Sequence, residues 1–154
     1  RFRYLFVLQA FTKIYAVPGI RLGYGISSDK ALLERMETVR QPWSVSTPAQ
    51  AAGLSALKED HREEQTRQLV KSERERMEKE LENLRIEYIP SEANFLLFNS
   101  EINWFEELKK RGILIRDCAN YRGLGNGWYR LAVRLPEEND RLLECMKQVL
   151  NERS

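Results

Sequence analysis

Cysteine and histidine are scarce in this chain: two cysteines, Cys118 and Cys145, and one histidine, His61, among 154 residues. With no Cys-x-x-Cys pair and so few soft ligands, neither a metal centre nor a disulfide framework is expected to organise the fold. Two unpaired thiols suit a reducing compartment, so a cytoplasmic location is expected. No apolar run approaches the roughly 20 residues that cross a bilayer, and the first residues lack the basic, apolar and small-residue order of a secretion signal. An excess of one charge is missing too. Lysine plus arginine number 25 against 23 aspartate plus glutamate, a net charge of +2, which gives no reason to expect nucleic acid or an anionic membrane as a partner. No internal repeat or low-complexity segment interrupts the chain. It opens on Arg1 rather than methionine and enters the apolar run Tyr4-Leu5-Phe6-Val7-Leu8 at once, as a chain beginning inside a larger domain would.

What is present is ordinary for a globular protein, with 42% hydrophobic residues, enough to build a core. The run at 4–8 reads as a buried strand ending at Phe11-Thr12-Lys13, and residues 20–26 as a second strand after the turn at Pro18-Gly19. Ser28-Asp29 offers caps for a helix over about 30–40, stopped by Gln41-Pro42. Thr47-Pro48 is a helix start, and the pattern stays helical, with one possible break, to about Leu84. The charge-dense half of that stretch, 58–82, is expected to be a solvated face. Beyond Pro90 come a strand (95–98), a helix (104–111), a strand (113–115), a loop with Gly123, Gly125 and Gly127, a strand (128–133) and a last helix (136–150). The expected class is α/β, with residues 1–46 ending a first domain, 47–85 a long connecting helix, and 86–154 a small α+β domain.

The segment that carries chemistry is Thr12-Lys13-Ile14-Tyr15-Ala16-Val17-Pro18-Gly19-Ile20-Arg21-Leu22-Gly23-Tyr24. A lysine at a buried strand end is unusual, because desolvating an ammonium is costly. Such burial lowers an amine's pKa, which readies it to attack an aldehyde. Arg21, eight residues on, could return to the same place as an always-charged fork for phosphate. Spacing alone leaves a surface loop equally open. Along Trp128 to Arg134, alternation puts Arg130, Ala132 and Arg134 on one side and Tyr129, Leu131 and Val133 on the other. Two guanidiniums on one side suit a carboxylate or phosphate, although a half-exposed surface strand would show the same pattern.

The whole lysine segment resembles the S-x-[ST]-K-x-x-x-x-x-G-x-R-x-G signature of fold-type-I pyridoxal-phosphate enzymes of the histidinol-phosphate aminotransferase group. The resemblance implies the end of a PLP-transferase large domain, a connecting helix and a small C-terminal domain. It makes Lys13 the catalytic Schiff-base lysine for pyridoxal 5'-phosphate, Arg21 a ligand of the cofactor phosphate, and Thr12 a hydroxyl in the same cup. Ala10 stands where the group usually has Ser or Thr, which removes one hydrogen bond to the phosphate, worth about 1.5–3 kcal/mol.

The string Tyr129 to Asn139 resembles the group's strand-to-helix segment whose first arginine, here Arg130, binds the substrate α-carboxylate. By the same resemblance Arg116 contacts a substrate phosphate; Arg134, Tyr121 and Arg122 have only proximity in sequence to these residues and are read as surface residues. Arg116-Asp117-Cys118-Ala119-Asn120-Tyr121-Arg122-Gly123-Leu124 is similar to the RDC-x-N-[YF]-x-G-L string of threonine-phosphate decarboxylases of cobalamin biosynthesis. That similarity implies a lyase that decarboxylates L-threonine O-3-phosphate to aminopropanol phosphate, usually as a homodimer with a phosphorylated amino-acid substrate. The alternatives are an aminotransferase of the histidinol-phosphate type and a non-catalytic, dimer-forming remnant of the fold. A regulator built on an aminotransferase-like domain ranks last, since no helix-turn-helix segment is seen. The group's glycine-rich phosphate loop, ring-stacking aromatic and aspartate for the ring nitrogen have no counterpart in this sequence. The polypeptide alone is therefore expected to bind the cofactor poorly and to turn nothing over.

Overall fold

The computed structural model describes residue 2 and residues 4–59 and 61–153. The chain resolves into two compact units, residues 1–66 and 67–154. The expected opening at Arg1 lies outside the described residues.

In the first unit, β1 (Phe6–Ala10) and β2 (Gly23–Ser27) form a two-stranded antiparallel sheet in which Ala10 pairs with Gly23 and Phe6 with Ser27. Gly23 is required by proximity: a Cβ there would stand 2.7 Å from the Gln9 carbonyl oxygen. The apolar run at the start is not buried as expected. Leu8 is 76% exposed and Ile26 55%, because this ribbon of two strands has no layer against most of its apolar side chains within the unit. A 3-10 turn at Pro18–Ile20 joins the strands. Helix α1 (Lys30–Val39) starts where Asp29 accepts the Leu32 amide at 3.0 Å. Helix α2 (Thr47–Ala56) is capped one residue earlier than the sequence suggests, by Ser46, whose hydroxyl accepts the Ala49 amide at 3.3 Å. The small core of this unit gathers around Phe11 and Ala49, with Gly53 of α2 passing close to Leu22.

The break allowed for in the connecting helix is real. Helical structure stops after Ala56 and resumes in α3 (Arg62–Asn83), which carries Glu63 and Glu64 in its first turn where the helix dipole favours acid. The boundary between the units falls inside α3.

In the second unit, β3 (Tyr88–Ile89), β4 (Phe95–Asn99), β5 (Arg116–Asp117) and β6 (Trp128–Ala132) form an antiparallel sheet in the order β3-β4-β6-β5. One face is covered by α3, α4 (Trp104–Lys110) and α5 (Pro136–Asn151). Met77, Leu81, Leu96, Phe98, Trp104, Leu108, Leu131 and Met146 are fully enclosed there. Period-two alternation assigns the faces: Leu96, Phe98, Tyr129 and Leu131 are buried, whereas Phe95, Leu97, Arg130 and Ala132 belong to the open face.

Two helices end in the same six-residue motif. The Ile86 amide reaches the Leu81 carbonyl (2.9 Å) across Arg85 at φ 55°, and the Ile113 amide reaches the Leu108 carbonyl (2.9 Å) across Gly112 at φ 74°. This corrects the strand expected at 113–115. Ile113 is the apolar residue that closes the end of α4, Leu114 is 75% exposed, and the ladder with β6 begins only at Arg116.

Candidate functional site

The lysine segment lies between β1 and β2, in a turn rather than at a buried strand end. Phe11, the last residue before the turn, is 4% exposed and donates its amide to the Leu22 carbonyl at 3.1 Å. Its ring stacks on Tyr15 with centroids 4.8 Å apart. Tyr15 in turn donates its hydroxyl to Glu63 at 2.6 Å, and that bond, with burial second, raises the phenol's pKa. Directly after Tyr15 the Ala16 amide donates to the Lys13 carbonyl at 3.0 Å, with Ala16 at φ 54°. The turn therefore pushes the Lys13 side chain outward. It is exposed, so the burial expected for Lys13 is not met among the described residues. The amine has no hydrogen-bond or ion-pair partner among the described residues. Thr12, beside it, is half-buried.

Arg21 is not in the second strand. It caps the 3-10 turn in the left-handed region at φ 56°, and one guanidinium nitrogen donates to the Pro18 carbonyl at 3.3 Å, leaving its other donors exposed. A free amine and a guanidinium with spare donors on one connection suit an aldehyde and a phosphate. The described aspartate of this unit, Asp29, is committed to capping α1.

The second cluster is on the open face of the four-stranded sheet. Arg116 of β5 stands directly opposite Arg130 of β6, and Arg130 is opposite Leu97 of β4. Like charges in facing positions are unfavourable. Among the described residues no carboxylate is ion-paired to either one, whereas Arg76, Arg111, Arg134 and Arg153 in the same unit each hold a Glu or Asp. Two adjacent cations with no ion-paired carboxylate among the described residues have the chemistry to receive an anion.

Their field reaches Cys118, which is 1% exposed: burial pushes its thiol's pKa up, while Arg130 and then Arg116 oppose that rise. Aromatic rings lie beside both guanidiniums, Phe95 at 5.1 Å from Arg130 and Tyr121 at 5.5 Å from Arg116. Asn120 adds an acceptor 3.3 Å from Arg116. The sequence pattern matched Arg130 with Arg134. The structure matches it with Arg116 instead, because β6 ends at Ala132 and Arg134 turns out to Glu138 at 2.7 Å. Phe95 and Tyr121 were missed; only knowledge of the strand pairing could have found Phe95, whereas Asn120 and Tyr121 lie four and five residues from Arg116.

Behind the cluster, α3 is tied to the β6–α5 junction by a buried polar knot. Asn139, 1% exposed, accepts the Arg134 amide at 3.0 Å and donates to the Arg134 carbonyl at 2.9 Å and to Glu73 at 2.7 Å. Arg76 clasps Glu73 through two nitrogens and reaches Asp140 at 2.6 Å. Arg76 first, with the Asn139 amide assisting, holds the Glu73 carboxyl below the ordinary glutamate range against the effect of burial.

A lysine turn between two paired strands, followed in sequence by a helix-backed antiparallel sheet, is the fold of PLP-transferases of fold type I. The profile described as "Aminotransferase class I and II" matches residues 3–145, and the chain belongs to that family of pyridoxal-phosphate enzymes. It is 39% identical over 151 residues to a threonine-phosphate decarboxylase of Salmonella typhimurium, covering 96% of this chain and 42% of that one. It is 38% identical over 149 residues to a histidinol-phosphate aminotransferase of Symbiobacterium thermophilum, covering 95% and 40%. The crystal structure of the histidinol-phosphate aminotransferase from Clostridium acetobutylicum superposes with a TM-score of 0.91 at 32% identity, over 98% of this chain and 47% of that one. The chain thus spans about two fifths of the length of these curated relatives. Among the described residues no helix is long and apolar enough to cross a membrane.

Proposed function

We propose that the protein of which this chain forms part decarboxylates L-threonine O-3-phosphate to aminopropanol phosphate, a step in cobalamin biosynthesis, with pyridoxal 5'-phosphate as cofactor. The carrying observation is the Arg116–Arg130 pair, two facing cations with no ion-paired carboxylate among the described residues, which suits a substrate bearing both a carboxylate and a phosphate. Arg130 takes the α-carboxylate and Arg116 the substrate phosphate. Lys13 supplies the amine that attaches the cofactor aldehyde, while Arg21 and Thr12 hold the cofactor phosphate. When bound, the cofactor provides an electron sink for the bond that breaks at the α-carbon.

The protein's own residues choose that bond. Arg130 would hold and orient the substrate carboxylate so that carbon dioxide, and not the α-proton, leaves. Lys13 would supply the proton that the α-carbon then takes up. In this reading residues 1–46 end the large cofactor domain, 47–85 connect, and 86–154 are the small domain. The working form is a homodimer in the cytoplasm.

A second reading, an aminotransferase of the histidinol-phosphate type, is favoured by the Symbiobacterium relative at nearly the same identity. There Arg130 would hold the carboxylate of an amino donor or acceptor, and Lys13 would move a proton instead of returning one. A third, a remnant without chemistry, is supported by Ala10 and by the exposed Lys13.

The experiment uses this chain joined to the remainder of an aminotransferase fold. Borohydride reduction in the presence of pyridoxal phosphate followed by peptide mapping is expected to find the reduced adduct on Lys13; its absence there supports the remnant. With threonine phosphate, carbon dioxide release without glutamate formation supports the decarboxylase, and glutamate formed from histidinol phosphate plus 2-oxoglutarate supports the aminotransferase. The isolated chain is expected to give no stoichiometric near-visible absorbance band with the cofactor.

A further inference from the structure

The two guanidiniums facing each other on β5 and β6 raise a question that their charge alone does not answer. Long, rotamer-rich side chains repelling one another would spread over many conformers, and each would lose that freedom when an anion bound. The open face of the sheet supplies a restraint for Arg130, and the loop after β5 one for Arg116. Phe95 is on β4 opposite Ala132, two residues from Leu97, which faces Arg130; that diagonal is within reach of an aromatic ring. Its ring lies 5.1 Å from the Arg130 guanidinium, and it stays 38% exposed although the alternate residues Leu96 and Phe98 are fully buried.

Tyr121 does the same for Arg116 at 5.5 Å. Its loop is held by the Tyr121 amide on the Cys118 carbonyl (3.0 Å) and the Cys118 amide on the Trp128 carbonyl (2.9 Å), so the ring is anchored to the strand it serves. Neither ring belongs to the hydrophobic core.

We propose that Phe95 and Tyr121 are positioning residues, each acting through its own arginine: the rings pre-arrange Arg130 and Arg116 as a matched pair of forks for a ligand with two anionic groups. The inference rests on the reading of these arginines as the anion site. A ring over a guanidinium meets its face and leaves in-plane donors for carboxylate or phosphate; at Arg116 one of them already donates to Asn120. The sheet face thereby has its charge order set before any ligand arrives.

The test titrates the whole chain with O-phospho-L-threonine by NMR, without cofactor, alongside melting temperature. Phe95→Leu and Tyr121→Leu are each expected to weaken binding about two- to five-fold, the worth of one exposed cation–π contact, at a melting temperature equal to the unsubstituted chain. Phe95→Tyr and Tyr121→Phe, which keep a ring, should restore it. Equal affinity in the Leu variants overturns the proposal, and so does a loss that the ring-keeping variants fail to restore. In the unsubstituted chain the side-chain CH2 protons of Arg130 and Arg116 should be shifted upfield by the rings, and their absence from that range also overturns it, independently of any variant's folding. Arg130→Gln separates the two levels: if it binds as well as the unsubstituted chain, the anion-site reading itself fails, whereas a loss there with unchanged Leu variants removes only the positioning role.

Discussion

In residues 67–154 the paired strands β4 and β6 alternate buried and open side chains, and the buried set, Leu96, Phe98, Tyr129 and Leu131, meets three helices. In residues 1–66 the paired strands β1 and β2 have the same hydrogen-bond ladder but no buried residue at all. Pairing without a covering layer is thus the difference between the units. A two-stranded ribbon is marginal by itself, and here Phe11, Ala49, Tyr15 and the Tyr15–Glu63 bond supply what holds the lysine turn. The second unit has a closed core and presents its arginines from a rigid face, whereas the first presents Lys13 and Arg21 from a connection whose own layer is thin.

That contrast is broken most decisively in the second unit's core. Leu131→Ala removes a fully buried side chain and is expected to cost about 2–5 kcal/mol, read as a lower urea midpoint. Next comes the polar knot. Asn139→Leu leaves Glu73 and the Arg134 amide short of partners and should cost about 1–3 kcal/mol. The knot also gives the second unit an acid-sensitive component. The folded-state pKa of Glu73 is below its unfolded one, so its contribution is complete above the ordinary value of 4.5 and is lost as pH falls through the lower, folded value. Glu73→Gln should flatten stability in that acid window in a pH series of melts, leaving the dependence near neutrality unchanged.

A smaller effect of opposite sign is expected at the facing cations. Arg116→Gln relieves a like-charge pair and should stabilise the ligand-free chain by about 0.2–1 kcal/mol, while reducing the affinity for phosphothreonine and its salt sensitivity in the same titration. Smallest of all, Leu8→Ala on the open ribbon should change stability by less than about 0.5 kcal/mol. A large loss at Leu8 would show that β1 is covered in solution and would erase the contrast between the units.

Much of the architecture was legible because it depends on short-range rules. The helices at 30–39, 104–110 and 136–151 and the strands at 95–99 and 128–132 follow from periodicity and capping. The strand expected at 113–115 failed because a helix-closing motif uses Ile113 in a role that apolar character alone does not distinguish from a strand. The capping residue of α2 was displaced by one position, since Ser46 and Thr47 are chemically equivalent candidates. For the site, Lys13, Thr12, Arg21, Arg116 and Arg130 were all visible as residue types in a recognisable order, but their surroundings were not.

Local chemistry along the chain determined by itself the family, most of the helices and strands, and the outward side of β6. Only the tertiary structure decided that Arg130 answers to Arg116 and not to Arg134, that each guanidinium has a ring beside it, and that Lys13 faces outward from a pinned turn. Those outcomes depend on strand register and on contacts between residues far apart in sequence, and no periodicity within a single segment encodes which strand will lie beside it.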